Sequence, residues 1–235
     1  MLAIPLAFSA SYAQARVKFL EAAATASLRI ESFNHPLPGR DGEQLAIDVA
    51  LDGDPQSERL LIVSSACHGV EGFCGSGVQV FALHDADWRA KARDAGVAVL
   101  YLHALNPWGF SHIRRVTQEN VDLNRNFHDF GRPLPVNAAY RRVHPLLLPA
   151  TWPPDAANVA AVQDFIAREG LAAWQAAISG GQHEFADGLF FGGTAPTWSN
   201  LTLRGLLARY AAHCRDAAWI DLHTGLGPSG VGERI

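Results

Sequence analysis

The chain has 235 residues, of which 18% are charged, with a formal net charge of −4 and only three cysteines. This charge balance, without a basic stripe or interleaved aromatic and basic residues, argues against a nucleic-acid partner. Three dispersed cysteines argue against a disulfide framework and fit a reducing compartment, so the cytoplasm is the expected location. No apolar run reaches the roughly 18 residues of a membrane-spanning helix, so no membrane partner is expected.

Apolar periodicity in the first half of the chain predicts alternating helices and strands. The predicted elements are a helix over residues 9–24, a strand over 44–51, a buried strand over 60–65, a helix over 75–84 and a strand over 97–102. Turn-rich composition separates them at residues 34–42, 52–55 and 104–109.

The second half of the chain is richer in loops. Residues 110–130 are polar and irregular, and residues 133–154 contain six prolines with one short helix predicted near 138–144. The remaining predicted elements are helices over 158–178 and 202–214, a glycine-rich loop over 180–199 and a strand over 217–222. Strands that alternate with helices predict a single α/β domain over residues 1–235 with a mainly parallel or mixed sheet.

The segment His68-Gly69-Val70-Glu71 follows the buried strand at 60–65 and precedes a glycine-rich helix start. Imidazole and carboxylate groups suit zinc, and a catalytic zinc site has three protein ligands and an open position. His68 and Glu71 converge on one ion if the backbone curls at Gly69, because glycine takes positive φ without steric cost. The alternative interpretation of this short motif is a surface turn with a solvated glutamate and a half-buried histidine.

A third ligand candidate, His223, stands at the end of the strand predicted over 217–222. Functional sites of open α/β sheets gather at the carboxyl ends of strands. His68, Glu71 and His223 would then form the set of two histidines and one glutamate that is typical of hydrolytic zinc. Asp221 is a candidate acceptor for an imidazole N–H. The alternative interpretation of His223 is a half-buried histidine that its neighbours satisfy.

A polar segment dense in arginine and asparagine contains Arg114, Arg115, Asn124 and Arg125. Arginine presents a fork of donors that matches a carboxylate, and asparagine adds a directional donor. An Asn–Arg pair therefore suits a substrate carboxylate, and a further arginine near a metal could polarise a scissile carbonyl. The alternative is a salt-bridged surface loop in which Asp122 pairs with one of the arginines.

The ordered set of these motifs resembles the zinc carboxypeptidase superfamily. The superfamily includes carboxypeptidase A-like peptidases and the aspartoacylase/succinylglutamate desuccinylase-like deacylases. The sequence of the motifs is most similar to a bacterial carboxypeptidase-like branch. The motifs that carry the resemblance are His68-x-x-Glu71, Asn106-Pro107-x-Gly109, Asp122-Leu123-Asn124-Arg125-Asn126-Phe127 and the strand-end His223.

The resemblance implies a three-layer α/β/α fold with a mixed, mostly parallel sheet, and hydrolysis of an amide by a zinc-activated water. It implies that Zn²⁺ is bound by the three ligand candidates, His68, Glu71 and His223. It also implies that Asn124 and Arg125 hold the free carboxylate of a peptide or small-molecule substrate. Arg115, or else Arg114, would lie beside the scissile carbonyl.

One feature departs from the superfamily. Its general base is a glutamate on a strand well after the third ligand, whereas this sequence continues for twelve residues after His223, with Glu233 as the only glutamate there. We therefore expect a partial domain that lacks its C-terminal part and the base. The alternatives to a carboxypeptidase are an N-acyl amino acid deacylase of the same superfamily and a non-catalytic pseudoenzyme that binds without turnover.

Overall fold

The structure is a computed structural model that describes residues 2–225, 228 and 230–232. The Glu233 of the sequence lies outside these residues. The described residues form five strands, β1 (Arg29–Pro38), β2 (Gln44–Asp52), β3 (Arg59–Ser65), β4 (Ala98–His103) and β5 (Asp216–Leu222). They form nine α-helices, α1 (Ile4–Ala7), α2 (Tyr12–Thr25), α3 (Gly72–His84), α4 (Ala86–Asp94), α5 (Pro107–Ser111), α6 (Ala138–Leu147), α7 (Ala156–Glu169), α8 (Leu171–Ser179) and α9 (Trp198–Tyr210). None of these helices is both long and apolar enough to cross a lipid bilayer.

All five strands belong to one mixed sheet in the order β1-β2-β4-β3-β5. β3 pairs in parallel with β4 and β5, and β2 pairs in antiparallel fashion with β1 and β4. It follows that every described strand except β2 points in the same direction. The prediction of an α/β fold with a mixed, mostly parallel sheet is confirmed.

Helices cover both faces of the sheet. On one face Phe19 of α2 packs with Val63 of β3 and Ile30 of β1. Side chains alternate between faces along a strand, so Glu31 points to the opposite face. There Arg209 of α9 donates to the Glu31 carboxylate at 2.6 and 2.9 Å. The arrangement is therefore the three-layer α/β/α architecture.

The chain divides into two compact units. Unit 1 comprises Met1–Arg115 and Thr202–Ile235 and contains the sheet. Unit 2 comprises Val116–Leu201 and contains α6, α7 and α8. The core of unit 2 is a cluster of buried apolar side chains, Tyr140, Val143, Phe165 and Ala177. The single-domain organisation stays a prediction.

Several elements differ from those predicted: α1 was not predicted, α5 lies where a turn was expected, and α9 begins and ends about four residues earlier than expected. Three further differences have a physical cause. Residues 29–38 form β1 although part of this segment has turn composition, because β2 supplies hydrogen-bonding partners along its length. The helix predicted over 158–178 is two helices, because Gly170 takes φ of 89° and ends α7. α4 lacks a buried face, so apolar periodicity gives no signal there, and the Asp85 side chain caps its start.

His103, the last residue of β4, is a fully buried titratable group in unit 1. Its ring stacks on Phe19 with the ring centroids 4.6 Å apart, and its Nε2 lies 2.9 Å from the Ser76 hydroxyl. Burial disfavours the charged imidazolium and lowers the pKa of His103 to about 4. This histidine is therefore neutral in the folded protein at pH values where an exposed histidine is largely charged.

We expect this depressed pKa to make the protein less stable in mild acid. As the pH falls from about 6.5 towards 4, the unfolded chain binds a proton at His103 and the folded protein does not, so the free energy of unfolding decreases by on the order of 3 kcal/mol. A His103→Gln variant does not titrate there, so its urea-unfolding profile should be flatter across this window. The exposed His84 provides the control variant His84→Gln. A His103→Gln profile as steep as that of the wild type would contradict the assignment.

Candidate metal centre

Three candidate ligands meet at the carboxyl end of the sheet in unit 1. Ser65, the last residue of β3, pairs with Leu222, the last residue of β5, so the two strands end side by side. His68 follows the end of β3 by three residues, and His223 follows the end of β5 directly. Glu71 ends a short 3₁₀ turn that begins after His68. The structure thus brings all three predicted ligands together.

The distances among these three side chains fit a zinc ion. His68 Nδ1 lies 2.9 Å from Glu71 Oε1 and 3.2 Å from His223 Nδ1, and His223 Nδ1 lies 3.3 Å from Glu71 Oε2. Tetrahedral zinc with bonds of about 2.0–2.2 Å needs ligand atoms about 3.3–3.6 Å apart, so only small adjustments are required. His68 and Glu71 are buried, whereas His223 is exposed, which leaves one open side.

The electrostatics of the centre favour a cation. Burial by itself would raise the pKa of Glu71, but hydrogen bonds from His223, His68 and the backbone N–H of Thr224 outweigh it and hold that pKa well below its usual range. A hydrogen bond to Asp221 is the largest influence that raises the pKa of His223 to about 12. Two ionised carboxylates therefore stabilise positive charge at this point, as a site for a divalent cation requires.

Cys67, Asp221 and His223 form a second group whose potential ligand atoms all lie within 4.8 Å of one another. His223 belongs to both groups. Its Nδ1 faces His68 and Glu71, whereas its Nε2 lies 2.7 Å from Asp221 Oδ2. The ring is thus oriented to offer Nδ1 to the first group and to hydrogen-bond the carboxylate of the second.

Gly69 has a different role from the one predicted. The left-handed residue of the turn after β3 is Ala66, with φ of 58°, so the prediction that Gly69 curls the backbone through positive φ is wrong. A Cβ at Gly69 would lie 2.1 Å from the carbonyl carbon of Gly109 and 2.3 Å from the amide nitrogen of Phe110. The position requires glycine because two backbones touch there.

Backbone hydrogen bonds hold the arginine segment against the ligand turn. The N–H of Gly69 donates to the carbonyl of Arg115 at 3.2 Å, and the N–H of Val70 donates to the carbonyl of Arg114 at 2.9 Å. The Arg115 guanidinium then lies 3.4 Å from Glu71 Oε1, whereas Arg114 is exposed. Of the two candidates, Arg115 is the one with a contact to the ligand set.

Asn124 and Arg125 belong to unit 2, on a 3₁₀ turn whose start is capped by the buried Asp122. Arg125 Nη2 donates to the carbonyl of Ser179 at 2.9 Å, and Asn124 is exposed. Both side chains line a cavity of about 300 Å³ in this unit. The lining residues are Asn124, Arg125, Phe127, His128, Pro135, Gly180, Gly181 and His183. Guanidinium and amide donors at a concave surface are suited to an anionic ligand group.

Sequence reasoning missed two side chains behind the ligands, Ser64 and Trp219. Ser64 Oγ lies 2.5 Å from Asp221 Oδ1, and Trp219 Nε1 lies 2.7 Å from Ser64 Oγ. The alternation of Trp219, Asp221 and His223 places them on one strand face, and this signal was present in the sequence. Ser64 required the pairing of β3 with β5, which no local pattern specifies.

Comparison with known proteins gives one family and several distant structures. The family described as "Protein of unknown function (DUF2817)" matches residues 8–235. No curated protein matches the chain in sequence. Among solved structures, the chain is similar to a proposed carboxypeptidase from Burkholderia mallei (18% identity, 66% of this chain and 36% of that chain, TM-score 0.36).

Two further structures show similarity of the same order. A metallo-carboxypeptidase from Burkholderia cenocepacia has 18% identity, covers 66% of this chain and 37% of its own, and gives a TM-score of 0.35. A glutaminyl cyclase from Porphyromonas gingivalis has 13% identity, covers 54% of this chain and 56% of its own, and gives a TM-score of 0.29. The chain spans less than two thirds of the length of each protein. TM-scores this low leave function to be argued from the residues of the chain itself.

Proposed function

This chain belongs to the DUF2817 family, and from its own residues we propose that it is a zinc-dependent hydrolase of amide bonds, similar to the metallocarboxypeptidases. The proposal assigns zinc binding to His68, Glu71 and His223. The observation that carries it is the convergence of two imidazoles and one carboxylate, with ligand atoms 2.9–3.3 Å apart, at the ends of two adjacent parallel strands. This is the donor set of hydrolytic zinc.

The side chains around the centre have distinct roles in this proposal. Zinc supplies Lewis acidity in such a site and lowers the pKa of water. Arg115, whose guanidinium lies 3.4 Å from Glu71, donates hydrogen bonds to the carbonyl oxygen of the substrate as negative charge develops there. The Asn124 amide and the Arg125 guanidinium hold the free carboxylate of the substrate, and their place in the lining of a cavity supports this role.

The proposal predicts hydrolysis that depends on metal. The purified chain, incubated with a short peptide, should release the C-terminal residue, and a chelator should abolish the release. Added zinc should restore it, since the ion and not a protein group would have been lost. Without the general base that is expected to be missing, the release should be about 10²–10⁴-fold slower than in an enzyme that has one. The measurement is product analysis by mass spectrometry, with an N-acyl amino acid as the second substrate.

Each other outcome identifies a different function. Release of an acyl group from the second substrate alone would favour a deacylase. Binding of both substrates without turnover would favour a non-catalytic binding protein, and turnover unaffected by chelator would exclude a metal mechanism. The matched variants Arg115→Ala and Arg114→Ala assign the carbonyl contact. We expect kcat/KM to fall about 10²–10³-fold in the first and to change little in the second.

A further inference from the structure

A continuous series of hydrogen bonds runs from the sheet surface to the candidate metal centre. It begins at Trp219 of β5, continues through Ser64 of β3 and reaches Asp221 of β5. Asp221 then accepts from His223 at 2.7 Å. The pairing of β3 with β5 places Ser64 opposite Asp221, and Trp219 lies two residues before Asp221 on the same face. The register of two parallel strands thus assembles the series.

The donor chemistry gives every bond in the series one direction. An indole N–H only donates, so Trp219 Nε1 donates to the Ser64 oxygen. The Ser64 hydroxyl proton therefore points to Asp221 Oδ1 at 2.5 Å. The other oxygen of this carboxylate, Oδ2, accepts from His223 Nε2. The Nε2 proton of the imidazole is therefore held by Asp221, and Nδ1, which faces His68 and Glu71, is the nitrogen left for the ion once its own proton is released.

We infer that Trp219 and Ser64 are positioning residues of the metal centre, which act through Asp221 to make His223 bind the ion by Nδ1. The inference rests on the proposed zinc site and goes beyond its ligands. Among the described residues Ser64 is fully buried, and Trp219 is 44% exposed. Partners of metal-binding histidines fix the orientation of the ring and raise its basicity.

The test measures zinc affinity by competition with a chromophoric chelator, for wild type and three variants. Loss of the direct partner in Asp221→Asn should weaken zinc binding about 10–100-fold. Ser64→Ala and Trp219→Phe, which each remove one more distant hydrogen bond, should weaken it roughly fivefold. The matched control is Trp88→Phe, because Trp88 Nε1 donates at 2.9 Å to Tyr101 on a different strand. This control should bind zinc as the wild type does.

A second measurement detects directly which ring nitrogen of His223 carries a proton. This property would not change if Trp219 and Ser64 only stabilised the fold. In ¹⁵N-histidine NMR spectra, His223 should keep its proton on Nε2, both with and without added zinc, and should lose the Nδ1 proton when zinc binds. The downfield Nε2–H resonance should disappear in Asp221→Asn and move in Trp219→Phe. Circular dichroism and thermal melting check that each variant is folded.

The results separate this inference from the proposed function. Zinc bound through Nε2 of His223, or unchanged zinc affinity in Asp221→Asn, would overturn the inference and leave the zinc site intact. A wild-type chain without zinc affinity would overturn the proposed function. In that case, a Nε2–H resonance that is the same in wild type, Asp221→Asn and Trp219→Phe would overturn the hydrogen-bond series as well.

Discussion

A Glu71→Gln variant is expected to lose zinc and, with it, amide hydrolysis. Glu71 provides the only carboxylate in the proposed ligand set and is 8% exposed, so its charge is hard to replace by solvent. Glutamine keeps the shape but has no negative charge, and its neutral amide offers the ion one oxygen in place of two. Zinc affinity should fall by more than the loss of about 10–100-fold that is expected when a hydrogen-bond partner of a ligand is removed. Zinc content by mass spectrometry and chelator competition measure it.

The same experiment includes a second ligand variant and a neutral control. His223→Ala removes a ligand from the other strand end and should lose zinc to a similar degree. Glu21→Gln makes the same chemical change on the exposed side of α2 and should leave zinc binding unaltered. A Glu71→Gln chain that is folded by circular dichroism and keeps one zinc ion per chain would rule out the assigned ligand set.

The ligands were predictable because they depend on local patterns. The apolar run before His68 and the apolar segment before His223 each mark a buried strand, and the carboxyl ends of parallel strands lie at one edge of a sheet. Two strand ends that both carry zinc-type donors are therefore expected to meet. The structure has β3 and β5 as direct neighbours, which is the condition that this expectation needs.

The remaining features depend on partners distant in sequence. β1 forms because β2 pairs with it over residues 29–38, and the turn composition near Pro38 says nothing of that partner. Ser64 reaches Asp221 only because β3 and β5 lie in one register, 157 residues apart in the chain. Local propensity describes one segment at a time, so contacts of this kind are outside its reach.

Gly69 depends both on a local pattern and on a partner distant in sequence. Its replacement by alanine is the second change for which we expect a large effect. Its place in the His68–Glu71 turn predicted an important glycine, but the reason is its distant neighbour Gly109 and not a positive φ. In Gly69→Ala the new methyl group would overlap backbone atoms at 2.1 and 2.3 Å, and backbone cannot move aside as a flexible side chain does. We expect the free energy of unfolding to fall by about 3 kcal/mol.

The overlap should also displace the ligands, because the same turn carries His68 and Glu71. Gly69→Ala is therefore expected to lower both zinc affinity and the urea midpoint. Gly205→Ala is the matched control: Gly205 lies inside α9, and among the described residues nothing beyond its own stretch of helix lies within 4 Å of an added Cβ. Alanine favours a helix over glycine by about 1 kcal/mol, so this variant should be slightly more stable than the wild type. If Gly69→Ala retained wild-type stability and zinc affinity, the backbone contact between the turn and α5 would not be what shapes the metal centre.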